Sequence, residues 1–323
     1  MSVDDNYVWP LLSLSYSLWK NATDNFEVYL ANVNRTLSPE KVKLIKFFFE
    51  TIEVPLSIFD ATVPPDVRTD SRISIAAYGR LWMAENLKAD FVYLDADSLA
   101  LQGWQDIFKE IHELKSHPEY LLGAKASQTN NGLNWESTES GSKLLCFHST
   151  CLVISWDNWR ANTKKFGPES WYSIAKKSSE LNLLAHDQDI LQFMANGDFL
   201  HLRQGLFEIP IRPARPARII SSGSWIKPWT VREEQLPIRI YEDIFNNRRA
   251  TDTYFLDEYT LFKSNEIELM EFLSNTNSHY FKNINNLRSR LYSYNPPMLL
   301  RAKFNLIYQL EKLLDSFHER KIA

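Results

Sequence analysis

An apolar run that breaks into two acids constrains this chain more than any other feature: Phe91-Val92-Tyr93-Leu94-Asp95-Ala96-Asp97. The four apolar, strand-forming residues read as a buried strand. Residues two apart in a strand point to the same side, so Asp95 and Asp97 are expected side by side at its mouth. Like charges so placed repel unless a cation lies between them. Hard divalent ions such as Mg²⁺ and Mn²⁺ take carboxylate oxygens together with substrate phosphates. The expectation is a metal–diphosphate site at the carboxyl end of a sheet strand, where open α/β folds bind ligands. The triplet alone is weak, since at this Asp content one arises by chance roughly once per chain, and Asp187-Gln188-Asp189 is a second. A strand followed by an acidic turn is the competing reading.

Around this strand the pattern alternates between extended and helical segments, which predicts an α/β sheet. Ser2 and Val3 read as a very short first strand, and Val8 to Leu18 as an apolar helix. Strands are expected at Phe26–Ala31, Val54–Phe59, Leu121–Ala124 and Leu144–Ser155. Ser38 followed by Pro39 predicts a capped helix running to about Phe49. Further helices are expected at Ile73–Leu87, at Trp104–Leu114, around Trp159 and Arg160, at Ser170–Ser179 and from His186 to Met194. Residues 127–142, rich in Gly, Ser and Asn, read as a loop or lid. The prolines and arginines of 209–218 predict an extended arm. From about Val231 the composition changes, which divides the chain into 1–230 and a mainly helical 231–323.

Composition removes several function classes. A net charge of −4 over 323 residues gives no basic field for nucleic acid. Two cysteines, Cys146 and Cys151, exclude a disulfide framework, fit a reducing compartment and lack partners at zinc spacing. There is no run of 18 apolar residues and no basic-then-apolar leader, so a cytoplasmic protein is expected. On that footing the sequons at Asn21 and Asn34 read as chance matches.

Taken in order, these segments resemble glycosyltransferase family 8 over roughly residues 3–229, and within it the bacterial lipopolysaccharide galactosyl- and glucosyltransferases. That resemblance implies a GT-A fold, with a Rossmann-like mixed sheet, and retaining transfer of galactose or glucose from a UDP-sugar. Val3-Asp4-Asp5-Asn6-Tyr7 is similar to the nucleotide-binding turn, which places Val3, Asp4, Asp5 and Tyr7 near uridine and ribose; by itself the turn also reads as a helix cap through Asp5 or Asn6. Tyr78-Gly79-Arg80 resembles the end of the family's Tyr-x-Arg helix, with Arg80 directed at phosphate or at an acid near the metal. Asp95, Ala96 and Asp97 match the donor- and metal-binding segment, implying Mn²⁺ or Mg²⁺ as cofactor. Phosphatases of the haloacid dehalogenase type share the strand-then-acid pattern but add Thr or Val where this chain has Leu99.

Phe147-His148-Ser149-Thr150 stands where the family has Phe-Asn-[Ala/Ser]-Gly, so His148 and Ser149 are donor-contact candidates with His148 in place of Asn. Asp187-Gln188-Asp189-Ile190-Leu191 is similar to the segment whose first acid contacts the transferred sugar and whose Gln faces the anomeric carbon. A neutral amide is a poor nucleophile, so Gln188 would stabilise an oxocarbenium-like transition state. Ser221-Ser222-Gly223-Ser224-Trp225-Ile226-Lys227-Pro228-Trp229 resembles a His-x-x-Gly-x-x-Lys-Pro-Trp segment. There Lys227 would reach the diphosphate, and Ser221 stands where the third metal ligand is a His. A hydroxyl is the weaker ligand; His201 is a candidate substitute.

The implied partners are a UDP-sugar and a glycan, lipid-linked or glycoprotein acceptor. Arg288, Arg290, Arg301 and Lys303 alternate with aromatic and aliphatic residues, which suits peripheral contact with an anionic membrane surface, or a helical subdomain packed on the core or another subunit. The departures at His148 and Ser221 keep a second class open: a degenerate, UDP-binding homologue acting as a partner or chaperone. A metal-dependent sugar-nucleotide hydrolase is a third.

Overall fold

The computed structural model describes residues 1–69, 74–127, 146–167, 170–177, 181, 186–209, 217–221 and 252–276, with side chains from 261 onward in the last segment. The chain divides into two compact units, 1–209 with 215–221, and 210–214 with 222–323.

In the first unit, a 3-10 turn at Asp5–Tyr7 leads into α1 (Val8–Lys20). Then follow β1 (Val28–Val33), α2 (Pro39–Thr51) and β2 (Leu56–Ala61), with β1 and β2 parallel. The helix expected over Ile73–Leu87 is shorter and broken: a 3-10 turn at Ile75–Tyr78, then α3 (Gly79–Asn86). Next come β3 (Phe91–Leu94), β4 (Ser98–Ala100), a 3-10 turn, α4 (Lys109–Lys115), β5 (Gly123–Ser127), β6 (Cys146–Ile154), α5 (Trp156–Thr163), α6 (Ser170–Lys176) and α7 (His186–Ala195). The unit closes with β7 (Leu200–His201), β8 (Phe207–Glu208) and β9 (Ile219–Ser221). Short β4, β7, β8 and β9 carry no sequence signal of their own. Two or three residues are too few to show a period.

The central sheet has the order β3-β6-β5-β7, with β6 antiparallel to both β3 and β5, and β7 parallel to β5. A smaller sheet has the order β4-β9-β8. Strand β6 is central, so both its faces are covered: Phe147, Cys151, Leu152, Val153 and Ile154 are all buried. Phe147, Leu152 and Ile154 join Tyr93, Leu81, Trp159, Ile190 and Leu191 in the main core. On α5, buried Asn158 donates to the carbonyls of Leu114, His117 and Tyr120 at 2.8–3.0 Å, which holds the α4–β5 loop.

The first strand reduces to one parallel bridge, Ser2 to Ala31. It presses closely on α3. A Cβ on Gly79 would lie 2.1 Å from Ser2 Oγ and 2.6 Å from Ser2 Cβ. The second of these atoms is fixed to the backbone and cannot swing away. Gly79→Ala is therefore expected to lower stability by about 1–3 kcal/mol, read as a fall in the urea midpoint at unchanged slope. An unchanged midpoint would mean that residues 1–3 do not dock there.

Both sequon amides are engaged internally. Asn21 Nδ2 donates to Ser17 O and Ala100 O, and Asn34 exchanges two bonds with Val63, at 2.7 and 2.9 Å. In the second unit, the described helix α8 (Asp252–Asn275) carries Phe262, Leu269 and Leu273 as buried residues at helical spacing. No helix among the described residues is long and apolar enough to cross a membrane. The basic, aromatic stretch from Arg288 onward lies outside the described residues.

Candidate active site

Strand β3 ends at Leu94, and the two acids that follow do not continue it. Asp95 donates its N–H to Thr150 O at 2.9 Å, and Ser98 N–H closes back on Asp95 O at 3.1 Å. The chain thus turns over 95–98 before β4 begins. The acids sit together because of this tight turn, not because they share a strand face as the spacing suggested. They also have different partners. Asp95 meets Arg80, whereas Asp97 Oδ1 accepts from Ser221 Oγ at 3.4 Å. Ser221 is brought there by the antiparallel ladder of β4 and β9, which sets it opposite Ser98.

Arg80 is the hub. It leaves the first turn of α3 almost fully buried, and its Nη2 lies 2.8 Å from Asp95 Oδ1. Its Nε lies 3.0 Å from Asp187 Oδ2 at the start of α7, while donating to Ala77 O. Its Nη1 donates to Ser149 O at 2.5 Å. The guanidinium carbon lies 4.8 Å from the centre of the Tyr93 ring, a face contact that favours a desolvated cation. One planar cation thus joins the β3 turn, strand β6 and helix α7, three segments far apart in sequence.

Two or three acids around one cation leave excess negative charge. Burial pushes the Asp95 carboxyl up to about 6; Arg80 opposes this, and Asp97 and Asp187 add to it. Asp187 is also raised, by burial first, against Arg80 and the N–H groups of the α7 terminus. Burial disfavours the Arg80 charge, but Asp187 and Asp95 outweigh it and keep the guanidinium protonated.

These directions have a sign that can be worked through. A carboxyl whose folded value is above its ordinary 3.8 binds its proton more tightly when folded. Its stabilising effect is complete below pH 4 and is lost as pH rises through about 6. The cost of the ionised group is on the order of 2–3 kcal/mol. Asp95→Asn is expected to match wild-type stability near pH 4 and to exceed it at pH 7.5 in chelator. Equal stability at both pH values would contradict a strained Asp95.

The other candidates are placed as follows. Gln188 Oε1 lies 3.3 Å from both Ser149 N and Ser149 Oγ. One turn on, Gln192 Nε2 donates to Phe147 O at 2.7 Å. Ala96 is buried within the turn. His148 is half-buried on β6, opposite Lys125 of β5. Val3 is buried, and Asp4, Asp5 and Tyr7 are partly exposed. The cap of the 3-10 turn is Asp4, which accepts from Asn6 N–H at 2.9 Å, rather than Asp5 or Asn6. Asp5 instead accepts from Ser38 N–H at 2.8 Å, and the Ser38 side chain makes no capping bond to α2. His201 is exposed on β7 against Phe199. Lys227, Pro228 and Trp229 lie outside the described residues.

Among the described residues, no three His, Cys, Asp or Glu side chains are grouped to hold a metal. The donors at the turn are Asp95, Asp97 and the Ser221 hydroxyl, all oxygen. That set fits a hard divalent ion with a diphosphate or water completing its shell, and the surplus charge on Asp95 is what such an ion neutralises.

The sequence matches no protein-family model and no curated protein. Solved structures do match. The galactosyltransferase LgtC, in complex with donor and acceptor sugar analogs, is similar with a TM-score of 0.57 at 17% identity, over 72% of this chain and 88% of that one. The apo form of the glycosyltransferase GlyE from Streptococcus pneumoniae TIGR4 gives 0.50 at 17% identity, over 81% of this chain and 62% of that one. The fold is the GT-A fold of glycosyltransferases. Within this GT-A unit, the turn at Asp95–Asp97 lies at the carboxyl end of β3, where an open α/β sheet presents its ligands. Sequence reading had missed three contributors: Tyr93 beneath the guanidinium, the Thr150 carbonyl, and the β4–β9 pairing that brings in Ser221. None of them has a signal apart from the contacts it makes.

Proposed function

We propose that this chain is a retaining hexosyltransferase of the family 8 type, moving galactose or glucose from a UDP-sugar to a glycan acceptor. The observation that carries the reading is the Asp95–Arg80–Asp187 chain of ion pairs, 2.8 and 3.0 Å long. It draws together the two segments, around Asp95 and Asp187, whose resemblance implies diphosphate and sugar contacts.

In this reading the residues divide the work. Val3, Asp4, Asp5 and Tyr7 face uridine and ribose. Asp95, Asp97 and Ser221 would hold Mn²⁺ or Mg²⁺, which supplies Lewis-acid stabilisation of the departing diphosphate. By the family resemblance alone, Lys227 would add a point charge to the phosphates. Asp187 accepts from a sugar hydroxyl; Arg80 fixes the orientation of its carboxylate, so little reorganisation is needed when positive charge develops at the anomeric carbon. Gln188 faces that carbon, and His148 and Ser149 border the sugar. The acceptor is a glycan, lipid-linked or glycoprotein hydroxyl, and the basic residues from Arg288 onward would bring the enzyme to an anionic membrane surface.

One observation favours a second reading. With Ser221 in the third position and, among the described residues, no further His, Cys, Asp or Glu grouped with Asp95 and Asp97, an ion here would be held weakly. A UDP-binding, catalytically silent homologue fits the same facts. The deciding experiment is UDP release from a panel of UDP-sugars with Mn²⁺, Mg²⁺ or EDTA, with and without glycan acceptors. Metal-dependent release from one donor is expected. UDP binding without turnover across the panel would favour the silent homologue, and no UDP binding would overturn both.

A further inference from the structure

The ladder between β5 and β6 is irregular beside the site. Its register runs from Ala124 opposite Leu152 directly to Lys125 opposite His148. Three residues of β6, Ser149 to Cys151, are therefore left over against a single step of β5. A bulge of this kind releases peptide groups from the ladder and re-aims them. Groups along this stretch serve the site, those of Ser149 beside the bulge and Thr150 O on the side facing β3. Ser149 O accepts from Arg80, Thr150 O accepts from Asp95 N–H, and Ser149 N–H points at Gln188.

The last contact fixes an orientation. A backbone N–H can only donate, so the Gln188 atom facing it must be the amide oxygen. The Ser149 hydroxyl lies at the same 3.3 Å from that oxygen. Ser149 is itself buried and locked from the other side by Arg80. With Oε1 turned to β6, the Nε2 group of Gln188 is the end left to face outward. Resting on the transferase reading above, we propose that Ser149 is a positioning residue: the β6 bulge holds Gln188 by its oxygen so that the amide presents N–H donors, not its oxygen, to the donor sugar. Since N–H donors do not stabilise positive charge, this replaces the expectation that Gln188 itself stabilises an oxocarbenium-like centre: the amide contributes by donating hydrogen bonds to sugar oxygen and takes no part in bond formation at the anomeric carbon.

The test has two arms. The first needs only folded protein: amide hydrogen exchange at Ser149 in wild type, Gln188→Glu and Gln188→Met. Slow exchange is expected in wild type and in Gln188→Glu, which keeps an oxygen for Ser149, with at least about tenfold faster exchange in Gln188→Met. Equal exchange in all three overturns the proposal whether or not the protein transfers sugar. The second arm is kinetic, with the UDP-sugar that supports turnover. Gln188→Glu keeps the held oxygen and loses both donors, so kcat is expected to fall about 10- to 100-fold with donor KM little changed. Ser149→Ala is expected to lower kcat less, Ser149→Thr to restore it, and Ser149→Ala to have no further effect in a Gln188→Met background. Full turnover in Gln188→Glu, or a covalent hexose adduct on it seen by intact mass, would overturn the donor role. Additive effects of the Ser149 and Gln188 changes would overturn the positioning role. Absence of turnover in wild type with every donor would instead count against the transferase reading, and the exchange arm would still decide the geometry.

Discussion

Arg80→Met is expected to destabilise the first unit by about 3–5 kcal/mol at pH 7.5, the cost of leaving buried charges without their partner. The side chain is 7% exposed and faces buried Asp187 and partly buried Asp95. Methionine fills most of the volume and can still lie against Tyr93, so the loss is one of charge and hydrogen bonds rather than of packing. Ser149 O would lose its donor as well. Arg80→Lys keeps the charge but not the planar fork, so it cannot reach three elements at once and should fall between the two. The penalty should shrink on acidification, because Asp95 and Asp187 both have raised values and take up protons readily. Urea denaturation of the three proteins at pH 5 and 7.5 measures this. A methionine variant as stable as wild type at pH 7.5 would mean that the guanidinium is not the link between β3, β6 and α7.

Asp97→Asn is expected to do the opposite: little change in stability and a fall in UDP-sugar turnover of about 10²- to 10³-fold. Asparagine has the same shape and its amide oxygen can still accept from Ser221 Oγ, now 3.4 Å from Asp97. What is lost is a full negative charge on the turn that faces the proposed ion. Mn²⁺ affinity, followed by its magnetic resonance signal, should drop in parallel, and Ser221→His should raise it by replacing a hydroxyl with an imidazole. Turnover of Asp97→Asn at the wild-type rate would remove Asp97 from the proposed ion site. Tighter metal binding in Ser221→His without a gain in turnover would mean that the weak third ligand does not limit the reaction.

The contrast between these two residues shows where sequence reading reached and where it stopped. The apolar run before Asp95, the alternation of strands and helices and the short ordered motifs were enough to indicate the α/β class and the GT-A fold. The α/β class depends on local features, period, length and turn chemistry along adjacent residues, whereas the GT-A expectation came from the resemblance of the ordered motifs to glycosyltransferase family 8. The same local logic misjudged how Asp95 and Asp97 come together. It assumed that β3 continued through them, whereas the last contact with β6 is Asp95 N–H to Thr150 O and the chain then turns back, Ser98 N–H closing on Asp95 O. It likewise assigned the cap at residues 4–6 to the wrong side chain, because Asp5 has a more distant partner in Ser38.

The sequence by itself determined which residue types are available: two acids after a buried strand, an arginine after a Tyr-Gly pair, an Asp-Gln-Asp string, and a serine where the family it resembles has a His. Tertiary structure alone decided which of them meet. Arg80 reaches Asp95, Ser149 and Asp187, 15, 69 and 107 positions along the chain. Ser221 reaches Asp97 across 124. Such contacts leave no period in the sequence, since they are set by how strands register and by where a bulge frees a peptide group. The physical reason is that a buried charge must find a partner or lose its proton, and only the packed chain determines which partners are within reach.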